Sequence, residues 1–71
     1  MEYKDLSGCI RSNIKVGDLV EVVKKQHQRS GELTEGIVKG ILTKAPKHHH
    51  GIKVILESNE VGRVKNIIDE D

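Results

Sequence analysis

The residues with the most evident chemistry sit together in "KAPKHHHGIKV", where His48, His49 and His50 follow Pro46 and precede Gly51. Histidines two positions apart project from one face of an extended segment, so His48 and His50 have the spacing to share a metal ion, with His27 as a distant third ligand. The rest of a ligand set is missing. No acid or paired cysteine neighbours the cluster, and the one cysteine, Cys9, lies far away in sequence. No metal site and no cofactor are expected, and adventitious zinc or nickel is all that the histidines promise. A hydrogen bond that holds a turn is the plainer role for His48 and His50. Cys9 has no evident histidine partner for nucleophilic attack, and a turn explains Ser30 beside Gly31. A chain of 71 residues also leaves little depth for a substrate pocket. The expectation is a protein that is not an enzyme.

Binding a polyanion asks for less: lysines and arginines spread over a shallow surface, with backbone N–H groups at glycine turns. Net charge is only +1, but its distribution is uneven. Residues 36–56 contain no Asp or Glu, while Lys39, Lys44, Lys47, Lys53 and the three clustered histidines all fall there. Arg29, Lys44, Lys47, His48, His50, Lys53 and Arg63 form a candidate nucleic-acid-binding set, provided that the loop after Thr43 and the loop at 28–31 meet at one end of the molecule. The competing role for Arg29 and Arg63 is an exposed ion pair with Glu35, Glu57 or Glu60. There is no Phe or Trp and only Tyr3, so nucleic-acid bases would have little to stack on except His and Arg.

The elements that must position these residues read as strands. Val and Ile total 16 against 5 Leu, and β-branched side chains suit a pleated sheet better than a helix. Gly17 and Asp18 mark a turn into "LVEVVK", with Val20 and Val22 on one face and Leu19, Glu21 and Val23 on the other. "TEGIVKGILT" is strand-like, and Gly36 and Gly40 within it point to a bulge or bend. "GIKVILE" alternates cleanly, Ile52, Val54 and Leu56 against Lys53, Ile55 and Glu57, and Ser58 and Asn59 make a tight turn into "EVGRVKNII". Val23 and Ile55, opposite the expected core, could form an apolar patch for a protein partner, which is the alternative to RNA.

Two segments repeat the pattern G-x-V-K-x-I-(L/I): Gly36 to Leu42 and Gly62 to Ile68. Each follows an apolar strand and a turn, so the chain reads as two related β-hairpins curling into an all-β, SH3-like barrel of four to five strands. Two copies are too few for a stacked solenoid. Residues 1–13 lack a sustained period and read as a flexible arm, 14–68 as the barrel, and 69–71 as an acidic tail.

"VGDLVEVV" followed by "EGIVKGIL" is loosely similar to small SH3-like barrels of the KOW and Tudor type, many of which bind RNA, ribosomal components or peptides. A closer resemblance runs from Ile14 to Ile68. The words "RSGELTEGIV", "ILTKAPKHHHGIKV" and "VGRV" resemble the YwbE-like family of small proteins, in which His48 and His50 match motif positions and His49 a variable one. Ser58-Asn59 stands where that family's pattern has Asp-Gly. The resemblance implies membership and brings no activity with it. It also argues against a purification tag, which would sit at a terminus. A single cysteine, no spanning apolar run and no leader-like segment lead to the expectation of a cytoplasmic protein without membrane contact, whose partner is RNA or a ribonucleoprotein.

Overall fold

The computed structural model describes residues 2–69. The alternation seen in the sequence becomes five strands: β1 Glu2–Tyr3, β2 Leu19–Lys24, β3 Thr34–Ile41, β4 Lys53–Leu56 and β5 Val61–Asp69, with 3-10 turns at Arg11–Asn13 and Lys25–His27. The strand order is β1-β5-β2-β3-β4, and an additional β4–β5 pairing closes β2 to β5 into an antiparallel barrel. The fold is therefore all-β and SH3-like in form. Closure leaves the four barrel strands without a free edge.

Each repeat copy forms a strand shared between two partners. The first half of β3 pairs with β2 and its second half with β4, whereas β5 pairs first with β4 and then with β2. The ladder skips one residue in each copy. Val38 faces Leu56 and Gly40 faces Ile55, which leaves Lys39 as the extra residue; Val64 faces Val22 and Asn66 faces Glu21, which leaves Lys65. A bulge bends its strand and tightens the twist, which is how short strands turn the corner of a small barrel.

Inward-facing residues make one core: Val20 and Val22 from β2, Val38 from β3, Val54 and Leu56 from β4, and Val64 and Ile67 from β5, with Ile14 and Ile52 from the connections. Burying each such side chain contributes roughly 1.5–3 kcal/mol, so branched aliphatics suffice here without aromatics. Ile52, Val54 and Leu56 are fully buried and Lys53 and Glu57 exposed, as the alternation predicts. Asn59 takes the turn with φ +71.

The structure departs from the loose arm expected at residues 1–13. Tyr3 pairs with Ile68, Ile52 N–H donates to Gly8 O (2.9 Å), His48 N–H donates to Cys9 O (2.9 Å), and Arg11 N–H donates to Pro46 O (2.8 Å). Local patterning is weak there because the segment's bonds go to residues far along the chain, so nothing in its own period announces them. Of the acidic tail, Asp69 ends β5, while Glu70 and Asp71, like Met1, lie outside the described residues.

Candidate nucleic-acid interface

The histidine loop is a framed turn. At its base, Lys53 N–H donates to Thr43 Oγ1 (2.8 Å), and Leu42 and Thr43 N–H groups donate to Lys53 O (2.8 and 3.2 Å). Arg11 reaches across from the N-terminal segment, its Nε donating to Thr43 O at 2.8 Å. Ile10 and Lys47 form an isolated antiparallel bridge. At the far end Gly51 N–H donates to His48 O (3.0 Å), and Gly51 has φ +104 with a virtual Cβ only 2.6 Å from Val64 O. Only glycine fits a left-handed position pressed against backbone.

Within the loop, His50 N–H donates to His48 Nδ1 at 3.2 Å, which is the turn-holding role expected of His48. Desolvation lowers the His48 pKa below the usual histidine range, and Arg63 and the neighbouring imidazoles add to it. The three rings lie close: centroids of His48 and His49 are 5.4 Å apart with nearly parallel planes, and those of His49 and His50 are 4.0 Å apart. His27 sits against Glu32 (3.4 Å), and among the described residues no group of three or more His, Cys, Asp or Glu is arranged to hold a metal ion.

Basic side chains hold this loop from the barrel wall. Lys53 and Arg63 are directly opposite across β4 and β5, so both point outward from the same patch of sheet. Arg63 Nη1 donates to Gly51 O (3.1 Å) and Lys65 Nζ to His50 O (3.4 Å). Among the described residues no carboxylate pairs with Arg63; Glu60 instead takes Lys24 at 2.7 Å. The hydrogen bond from Lys24, then that from Ser58, lowers the Glu60 pKa.

The candidate residues fall into two groups on either side of the histidines. Arg63, Lys65 and His50 line a surface groove of about 560 Å³ with Gln28, Gly31 and Val23, so the 28–31 loop does meet the histidine loop there. Arg29 is exposed on that loop, between the groove-lining Gln28 and Gly31. Lys53 lines an adjoining channel of about 680 Å³ with Arg63 and Lys25. Lys44 and Lys47 belong elsewhere: with Arg11, Ser12, Ile10 and Pro46 they line a groove of about 500 Å³. Sequence reasoning missed Arg11 and Lys65. Arg11 lay in a segment without visible structure, whereas Lys65 was marked by the repeat, whose lysine is the bulge residue.

Val23 is not available for the apolar patch suggested as a protein-docking site. It is 6% exposed although it pairs with the outward-facing Arg63, and it lies at the floor of the groove that Gln28, Arg63 and Lys65 also line. Ile55 remains half-buried beside Val61. Acids occupy a different part of the wall, where Glu21 and Glu35 face each other across β2 and β3. A hydrogen bond to Glu21, with desolvation and the charges of both glutamates, raises the pKa of Tyr3.

Residues 7–67 match the family described as "uncharacterized conserved protein (DUF2196)". The chain is also similar to "Uncharacterized protein YwbE" of Bacillus subtilis (strain 168), with 46% identity over 63 residues that cover 89% of this chain and 97% of that protein. No solved structure matches it. Among the described residues no helix is long and apolar enough to cross a membrane.

Proposed function

The chain belongs to the YwbE-like family, and we propose that it is a cytoplasmic binding module, not an enzyme, that takes RNA or a ribonucleoprotein on the basic surface around the histidine loop. One observation carries this reading. Lys53 and Arg63 stand side by side on the outer wall, Arg63 has no carboxylate partner among the described residues, and it lines a groove shared with His50 and Lys65. A guanidinium held at one nitrogen by a backbone carbonyl is oriented in advance to give its other donors to a phosphate. The grooves run open along the surface, which suits a polymer backbone better than a small substrate. Arg29, Lys44 and Lys47 extend the basic surface, and His48 braces the loop that presents it.

The test is a titration of the folded protein with a mixed-sequence RNA at low salt, followed by backbone amide signals. Signals of Lys44 to Lys53 and of Arg63 are expected to move, and Arg63→Glu to weaken binding about tenfold or more, in line with truncating a charged contact. If no amide of the histidine loop shifts, the RNA reading falls and a protein partner replaces it.

A further inference from the structure

Holding phosphates explains affinity but not how a protein with no Phe or Trp would handle the bases. We infer that the exposed imidazoles of His49 and His50, 4.0 Å apart and tilted by 42°, offer a ring face on which a base of single-stranded RNA stacks, while its backbone passes from Arg63 and Lys65 on one side to Lys47 and Arg11 on the other. This rests on the RNA reading above and names the form of RNA that the surface takes.

Three features support it. The single tyrosine, Tyr3, is on the acidic side beside Glu21, so the imidazoles are the π-faces that the basic surface offers. Bases in single strands stack on histidine as they do on larger rings, whereas a duplex keeps its base faces covered. Second, the rings stand on a loop already fixed: Cys9 O, His48 O, His48 Nδ1 and the Lys65 ammonium all engage its backbone. Ordering costs on binding are correspondingly small. Third, the cluster joins the two basic groups. His50 lines one groove with Arg63 and Lys65; His48 and His49 border Lys47 in a cleft that continues to Arg11 and Lys44. Cations on both sides of a small aromatic platform are what a strand needs when one base turns inward and its flanking phosphates stay out.

Fluorescence anisotropy at low salt can separate stacking from charge with three probes: a labelled 12-nucleotide RNA of mixed sequence, the same strand annealed as a duplex, and an abasic strand of equal length. The wild-type protein is expected to bind the base-bearing single strand at least about fivefold more tightly than the abasic one, the lower end of what one base–aromatic stack supplies. In the double variant His49→Ala/His50→Ala the ratio of base-bearing to abasic affinity should fall to about one, whatever the abasic affinity itself becomes. Circular dichroism checks that the variant folds; should it not, the wild-type comparison of base-bearing and abasic strands still decides. Equal wild-type affinity for base-bearing and abasic strands, or a duplex bound as tightly as the single strand, overturns the platform and leaves the backbone reading standing. No binding of any probe removes both.

Discussion

Lys24 and Glu60 show how a single contact connects stability to solution conditions. Lys24 is largely covered and donates to Glu60 at 2.7 Å, and Ser58 donates to the other carboxylate oxygen at 2.9 Å. Both bonds favour the ionised carboxylate, so its pKa in the folded protein lies below the 4.5 of an unperturbed glutamate. In the window between those two values the unfolded chain binds more protons than the folded one. The stabilisation is therefore complete above pH 4.5 and is lost as pH falls through the lowered folded value. Thermal melts of wild-type and Glu60→Gln proteins should differ most near neutrality and converge in acid. His48 acts in the same sense around a higher pH, because its folded pKa is lowered from 6.5 and the neutral ring is the one that accepts from His50 N–H.

Among the elements, β3 and β5 are two versions of one device. Each carries near its start a glycine that lets a core side chain of a neighbouring strand come close, then a buried valine, a bulge lysine and an isoleucine, which is half-buried against the core in β3 (Ile41) and fully buried in β5 (Ile67). The glycines are not equally critical. A Cβ at Gly62 would stand 2.7 Å from Val22 Cγ2 and 2.9 Å from the Val23 carbonyl oxygen, whereas one at Gly36 would meet only the Leu56 side chain, 2.8 Å from its Cδ1. Backbone cannot yield as a leucine terminus can. Gly62→Ala should cost about 1–3 kcal/mol by overpacking, and Gly36→Ala distinctly less. Urea unfolding of both variants measures the order; equal losses would mean that Leu56 is as constrained as the β2 backbone. The bulge lysines each tie a bent strand to a loop, Lys39 reaching Asn59 Oδ1 (2.9 Å) in the turn of the other hairpin and Lys65 reaching His50 O in the connection between the two hairpins.

At the scale of the whole molecule, an almost neutral chain is folded into a polar one. Glu21 and Glu35 face each other on the β2–β3 wall, while Lys53, Arg63 and Lys65 project from β4 and β5. Arg11, Lys44 and Lys47 continue the positive side past the histidines. If those six cations each neutralise one phosphate of a single strand, the logarithm of the affinity should fall with the logarithm of salt at a slope of about −4. Arg63→Ala should make that slope shallower by roughly 0.7. A salt-insensitive interaction would point to a protein partner instead.

What the sequence by itself determined was everything that depends on near neighbours: the inner faces of β2 and β4, the Asn59 turn, the repeat and the glycine-marked bends. Strand periodicity and turn chemistry are local, so "GIKVILE" states its own inside and outside. The acid-free run likewise told which residues carry positive charge. Only the tertiary structure decided which of those charges meet. The β4–β5 hairpin sets Lys53 beside Arg63, ten positions away, but only the folding of the whole chain brings Arg63 and Lys65 to the 28–31 loop, and Lys44 and Lys47 to Arg11. The docking of residues 2–13 and the covering of Val23 belong to the same class of fact. Long-range pairing is settled by chain closure and by the complementarity of the whole core, and no window of sequence contains both partners.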